Sequence, residues 1–243
     1  MIRILAPHRL AIALGALIAL PALAGDGAAP AVDAAPAVDL RVSYHTREID
    51  NEGVQRETRH VNRMYRRAGM VWTERELPAA LAKSLAHGHP PDAHDGPHAG
   101  HAHDEARGAP LRVSRDAEGR ERVEVILAKT RRVIEVDRAH YGNVGYAGSW
   151  AAAYWLVPPA ALEKMQRVGA VQAGVQRYRS VNGELTTTVD WDVALQYPRR
   201  IVRSDAHGTA STDVSVTRLS TPAVPPWKAS ESFERGDYSD LLD

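Results

Sequence analysis

The stretch VQAGVQRYRSVNGELTTTVDWDVALQY, residues 171–197, decides the fold. Asn182-Gly183 is a type I′ turn signal, because both central positions of that turn need a positive φ that Gly and Asn adopt at little cost. Beyond it Thr187, Val189, Trp191, Val193, Leu195 and Tyr197 alternate with smaller or polar residues. A period of two sends successive side chains to opposite faces, which marks a strand buried on one side. The reading is a hairpin: a strand from Val171 to Val181, then an unbroken return from Thr187 to Tyr197 with Val189, Trp191, Val193 and Leu195 facing one side. Pro198 marks the end of that return or a shift to an edge. Ile201-Val202, the turn Asp205-Ala-His-Gly208 and a strand from Ser211 to Leu219 complete a meander.

Upstream, Leu40, Val42, Tyr44 and Thr46 alternate with Arg41, Ser43, His45 and Arg47. Asp50-Asn-Glu-Gly53 turns the chain back through Val54 to Arg67, and Ala68-Gly69 turns it again into Met70-Val-Trp-Thr73. Strands resume at Leu111, from Arg122 to Ala128 and from Arg132 to Val136. Tyr141 to Gly148 reads as a glycine-rich loop and Trp150 to Trp155 as a helical turn. Pro158-Pro159 opens a short helix that carries Leu162, Met165 and Val168 on one face, with Gly169 placed to end it. Nine or ten strands and one or two short helices make a mainly β fold: a curved antiparallel sheet or half-open β-barrel with short covering helices. The tail from Pro222, with Trp227, Phe233 and Tyr238, reads as lying across the sheet.

The start of the chain has the layout of a secretory signal peptide: basic Arg3 and Arg9, an apolar run of about 14 residues from Leu10 to Leu23, and the small-residue site Ala22-Leu-Ala24. That run is shorter than the roughly 18 to 20 residues a membrane-crossing helix needs, and no later run reads as a transmembrane segment. The expected product, cleaved near Ala24, is periplasmic or secreted. Residues 25–37 read as a disordered Ala/Pro/Gly/Asp linker, and 38–243 as a single antiparallel β domain interrupted by a loop at about 79–110. Beyond the leader 28 Lys and Arg stand against 30 Asp and Glu, so charge makes no case for nucleic acid. The absence of cysteine excludes disulfides, thiolate nucleophiles and Cys-based metal sites. No nucleophile elbow, phosphate loop or His-Glu-x-x-His helix occurs, so the expectation is a protein that is not an enzyme.

The interrupting loop holds His87, His89, His94, His98, His101 and His103, six of the ten histidines beyond the leader, within 17 residues. Imidazole is the commonest ligand of zinc, copper and nickel, and a Gly/Pro/Ala chain lets several rings converge on one divalent transition metal. A chain that must order itself on binding suits buffering, sensing or delivery rather than tight retention. A solvated low-complexity insertion has the same composition. Trp72, Trp150, Trp155 and Trp191 are candidates to line a ligand cavity, although in a chain with a single phenylalanine they are first of all core. His45, on the polar side of its strand, and His207, in a turn, read as solvated.

In layout the chain resembles the periplasmic outer-membrane lipoprotein carrier superfamily. The resemblance rests on the leader, the opening meander with Asp50-x-x-Gly53, the short helical cover, and a late hairpin running into Leu195-Gln-Tyr-Pro-Arg-Arg-Ile-Val-Arg-Ser-Asp205 with Gly208 beyond. It implies a half-open barrel whose concave face holds a lipid, an acyl chain, a lipoprotein or a partner segment and requires no cofactor; the His-rich loop departs from the family's pattern and reads as an accessory that binds Zn, Cu or Ni. Two functions follow: a periplasmic binding or carrier protein, or a protein that buffers or delivers Zn, Cu or Ni on a sheet serving only as scaffold.

Residues 87–103 offer no large apolar side chain to a core, and closing a loop of different length costs only about 0.6 kcal/mol per doubling. Deleting residues 87–103 should therefore leave the melting temperature of the metal-free protein nearly unchanged. Calorimetric titration with zinc, copper(II) and nickel should show binding near pH 7.5 that weakens near pH 5.5, as imidazole protonates around its ordinary value of about 6.5. The deletion should abolish that binding.

Overall fold

The alternation at Leu40, Val42 and Tyr44 belongs to β1 (Val38–Ile49), whose even-numbered residues face inward against matching positions of β2 (Gln55–Arg67). Leu40 lies opposite Met64 and Arg218, and Val42 opposite Asn62 and Val216, so each inward residue meets inward residues of both neighbours. The computed structural model describes residues 35–77 and 108–241. The first meander continues through β3 (Met70–Arg75), β4 (Leu111–Arg115), β5 (Glu121–Leu127) and β6 (Arg132–Val136). Two short helices follow, α1 (Trp150–Trp155) and α2 (Pro159–Leu162). The second meander is β7 (Gln166–Gln172), β8 (Val175–Asn182), β9 (Leu185–Asp192), β10 (Tyr197–Asp205) and β11 (Ala210–Arg218), and β12 (Glu234–Asp237) comes from the tail. The sheet order is β12-β6-β5-β4-β3-β2-β1-β11-β10-β9-β8-β7, antiparallel throughout except for the parallel pair β12 and β6. It is one curved sheet that does not close into a barrel, and β1 with β11 is the seam between the meanders.

The inner face is the core. Leu40, Val42, Met64, Val71, Val113, Val123, Val125, Ile134, Val189, Trp191, Ile201 and Val214 are buried there. α1 lies over β3 and β4. Its first turn is capped by the Ser149 hydroxyl, which accepts from the Ala152 amide, and it lays Trp150 and Tyr154 onto the sheet. Tyr154 stacks on Trp150 at 4.9 Å and meets Trp155 edge-on at 5.2 Å, and Trp155 stands 6.5 Å from Trp191. Beneath these rings Arg66 is wholly buried. Its guanidinium donates to the carbonyls of Pro36 (3.1 Å), Leu195 (2.6 Å) and Gln196 (2.7 Å) and lies 5.4 Å and 5.2 Å from the Tyr154 and Trp155 ring centres.

The tail forms a second, smaller cluster on the outer face. A 3-10 helix (Pro226–Ser232) places Trp227 against Tyr65 and Trp72, with the Arg67 guanidinium 5.3 Å from the Trp227 ring. Buried Glu124 on β5 accepts from Arg112 of β4 (2.5 Å) and from Arg235 of β12, so β12 is held by a side-chain clamp as well as by its ladder.

Three readings around the deciding hairpin need correction. The helix expected to carry Leu162, Met165 and Val168 ends at Leu162, and Val168 is an exposed residue of β7. Four residues form too few intrahelical bonds to propagate, whereas β7 gains a ladder with β8 and the Gln176 side chain, which donates to the Val168 and Gly169 carbonyls. The stretch 171–181 therefore spans two strands, joined by Ala173 (φ +48) and Gly174 (φ +76), the pattern of a type I′ turn. At the next hairpin Asn182 pairs with Leu185, so the loop is Gly183-Glu184 with positive φ at Gly183 alone, a type II′ pattern.

The return strand is also interrupted. β9 stops at Asp192, whose carboxylate accepts from the Leu195 amide (2.8 Å) and the Arg199 guanidinium (2.8 Å), turning the chain through Val193 to Gln196 before β10 begins. Val189 and Trp191 are buried together as expected, but Val193 is 46 % exposed in the turn and does not share their face. The described residues form twelve strands rather than nine or ten, since neither the β7 to β8 turn nor the tail strand carries a strong local signal.

Trp191→Ala should destabilise the protein by about 3–5 kcal/mol, the usual range for deleting a buried large aromatic ring, whereas Val193→Ala should stay within about 0.5 kcal/mol. Chemical denaturation of the two variants measures both.

Candidate functional site

Of the four tryptophans proposed to line one cavity, Trp150, Trp155 and Trp191 meet in the inner-face core, while Trp72 packs in the outer cluster on the other side of the sheet. They do not share a cavity, because Trp72, opposite Tyr65 and Arg112, lies on the other face of the sheet from Val71 and Val113. His87, His89, His94, His98, His101 and His103 lie outside the described residues. Among the described residues no group of three or more His, Asp or Glu is placed to hold a metal ion. His207 faces Glu184 in the exposed hairpin tips, and His140 stacks on Tyr238 at 4.0 Å beside Asp137.

His45 and His60 meet elsewhere, in an open groove of about 960 Å³. Its position follows from strand lengths. β3 ends at Arg75 opposite Asn62 while β2 runs on to Gln55, so the β1–β2 hairpin projects beyond the first meander. The Glu76 amide makes one further bond, to the Val61 carbonyl (2.8 Å), before the chain departs at Leu77. The groove gathers Arg41, Ser43, His45, Arg59, Val61 and Arg63 from the outward-facing positions of that hairpin, with Asp213 and Ser215 from β11. Tyr44, His60 and Arg75, from inward-facing positions, complete it with Glu76 and Leu77 at the point where β3 ends.

Charge in the groove is mostly paired. The Glu76 carboxylate accepts from Arg41 at 3.0 Å and from Arg63 at 3.4 Å, and these bonds, Arg41's above all, hold it below the usual carboxylate range. Glu57 on the rim accepts from Arg59 (2.7 Å) and contacts His45; the Arg59 bond does most to hold its pKa down. Asp213 takes two bonds from Arg200. Arg75 has no acid partner among the described residues, although Tyr44 and His60 both feel its charge. Those two rings stack at 4.5 Å, nearly parallel. Burial pushes the Tyr44 hydroxyl up to about 12 despite Arg75, and burial with Arg75 lowers the His60 pKa.

The chemistry on offer is recognition: guanidinium donors, ring faces and two aliphatic side chains around an open hollow. The sequence placed Arg41, Ser43 and His45 on one side of a strand but gave no sign that they meet Arg63, Glu76 and Asp213, which only strand register assembles.

No protein-family model matches the chain, and no curated protein matches it. Solved structures similar to it include PNGF-II, at 10 % identity and a TM-score of 0.35, covering 84 % of this chain and 33 % of that one. A LolA superfamily protein from Nitrosomonas europaea matches at 10 % identity and a TM-score of 0.35, over 79 % of this chain and 89 % of its own. A putative outer membrane lipoprotein-sorting protein domain from Vibrio parahaemolyticus matches at 10 % identity and a TM-score of 0.31, over 80 % and 90 %. The chain thus spans about a third of PNGF-II and about nine-tenths of the other two. The carrier-like superfamily named from the sequence layout is represented among these structures, and at TM-scores this low the likeness carries no conclusion about ligand or activity.

The lowered His60 pKa has a consequence for stability. The unfolded chain binds a proton at His60 more readily than the folded one, so the neutral ring's contribution is complete above the ordinary value of 6.5 and declines as pH falls through it. Melting temperature followed downward from neutral pH should show this loss before the carboxylates, Glu76 among them, begin to protonate below their ordinary 4.5. His60→Phe, which retains a ring over Tyr44, should flatten the upper part of that curve and leave the lower part in place.

Proposed function

We propose that the chain is a non-catalytic binding or carrier protein, exported from the cytoplasm, that holds a ligand with apolar surface or a partner segment in the groove built on β1, β2 and β11. One observation carries the reading. The groove of about 960 Å³ is an open hollow within the size range of ligand sites, whereas the inner concave face is filled by the chain's own Tyr154, Trp150, Trp191 and Leu40. The carrier-like layout directs attention to the concave face; packing moves the proposed ligand seat to the groove instead. Export rests on the leader-like residues 1–24, and among the described residues no helix is long and apolar enough to cross a membrane. Buffering or delivery of zinc, copper or nickel by residues 87–103 is the second reading, favoured by six histidines in 17 residues.

Ser43 and Ser215 pair directly across β1 and β11 on the groove floor, so a large side chain there fills the hollow without entering the core. Native mass spectrometry of protein purified from its own periplasm should detect a co-isolated lipid or acyl compound. Ser43→Trp and Ser215→Trp should each lose it while the melting temperature stays close to that of the parent. Retention of the compound by both variants would move the seat away from the groove.

A further inference from the structure

We propose that the inner face of the sheet, at its hairpin-tip end and apart from the outer groove, carries a binding strip for a neutral saccharide chain. The strip is a row of cross-strand partners: Ser180 (β8), Thr187 (β9), Arg203 (β10), Thr212 (β11), Thr46 (β1) and Thr58 (β2).

Register puts these six residues on one face. Each pairs directly with the next, and Val189, Ile201 and Val214, two positions nearer the centre of the sheet on the same strands, are buried in the inner-face core. With neighbouring strands about 4.8 Å apart, the row is about 24 Å long. The inner face changes character along the strands. Leu40 is fully buried where the rings of α1 fill the face, whereas Thr46, Ser180, Thr187, Arg203 and Thr212 are partly exposed and Thr58 is exposed. Leu40 and Thr46 share β1 and its inner side, roughly 20 Å apart along the strand.

A hydroxyl both donates and accepts, so a row of them matches a ligand that does the same and selects neither an anion nor an acyl chain. Threonine also suits a pleated strand, so the hydroxyls by themselves name no ligand; the charged groups beside them do. Among the described residues no carboxylate is paired with Arg203, and its Nε is buried without a hydrogen-bond partner. Asp205, the next residue on that face of β10, accepts from the Thr209 hydroxyl through Oδ2, while its Oδ1 is buried and also unpartnered. On the outer face, by contrast, Arg177 and Arg200 are matched by Asp190 and Asp213. An unused donor and an unused acceptor side by side cost stability, and neighbouring hydroxyls of a sugar satisfy both. Arg203 and Asp205 are each partly exposed, so a small side-chain shift brings these atoms to a ligand. Their charges offset, so an anionic head gains nothing over a neutral polyol. One row nearer the core, Tyr178 and the stacked Tyr44 and His60 present ring faces on which the C–H face of a sugar packs.

Equilibrium binding to the full chain tests this, with maltohexaose, cellohexaose and chitohexaose as neutral chains, hexagalacturonate as the acidic match and laurate as the acyl probe. At least one neutral hexasaccharide should bind with a Kd of about 1 mM or tighter, and at least as tightly as hexagalacturonate. Thr46→Val and Thr212→Val, which keep side-chain shape and strand preference, should each weaken it about two- to tenfold, the value of one net hydrogen bond. Arg203→Gln and Asp205→Asn should weaken it too. Thr188→Val, on the outer face of β9, and Ser43→Trp, in the outer groove, should change nothing. Failure of all three neutral chains to bind, or binding indifferent to Thr46→Val and Thr212→Val together, would overturn the strip. Weakening by Ser43→Trp in place of the threonine variants would move the saccharide to the outer groove. Hexagalacturonate bound more tightly than every neutral chain would replace the neutral ligand with an anionic one, and laurate binding tightened by Thr212→Val would make the strip an acyl seat. If Arg203→Gln fails to fold, the threonine variants still decide.

Discussion

The buried guanidinium of Arg66 joins parts of the chain that no strand ladder joins directly. It projects inward from β2, yet its hydrogen bonds reach the backbone at Pro36, before β1, and at Leu195 and Gln196, in the turn between β9 and β10. Above it stand the rings of Tyr154 and Trp155 from α1. Taking such a group out of water is costly, and burial lowers its pKa to about 10, which still leaves it charged at neutral pH. The cost is offset because carbonyl oxygens and ring faces all present negative potential to it. The two meanders are continuous only through the β1–β11 seam, and Arg66 gives them a second junction on the inner face.

The outer face is organised differently. Arg177 with Asp190, Arg200 with Asp213, Arg41 with Glu76, Arg67 with Asp39, and Arg112 and Arg235 with Glu124 form pairs that mostly cross from one strand to another. The exposed pairs among them add little stability individually. Their effect is on register, because a slip of one residue would set Arg177 opposite Val189 or Trp191 and Arg112 opposite Val123 or Val125, and turn the inward valines to water. The buried Glu124 differs: with a guanidinium on each side it is held below the usual carboxylate range despite its burial, so it stays ionised and fastens β12 to the sheet. The groove forms where this pairing pattern runs out at the end of β3.

The two sheet edges are also handled differently. β12 covers β6, while among the described residues no strand pairs with the outer edge of β7, which carries a register shift near Gly169 (φ +68) and the charged Arg167. A bulge and a charge on an edge strand discourage pairing with another chain. β7 is thus stabilised from one side only, by β8 and by the Gln176 amide.

Alternation alone determined that β1, β9 and β11 are strands and which residues they bury, since burying one side of a pleated strand requires a period of two. Leu40, Val42, Val189 and Trp191 were legible on that ground, and so were the turns at Asp50 to Gly53 and at Gly69. Residues 159–172 were not, because apolar residues three apart fit a helix face as well as scattered positions of an edge strand, and the deciding bond comes from Gln176 on the neighbouring strand. The break at Asp192 was hidden for a similar reason: an acid in an alternating run reads as the solvent face until its carboxylate is seen capping the turn. The groove lay furthest from the sequence. Ser43, Val61 and Ser215 are distant along the chain and become neighbours only through the pairing of β1 with β2 and β11. Local pattern determined which residues must leave water; which of the remaining polar residues would stand together was decided by register, a property of strand pairs that no single strand contains.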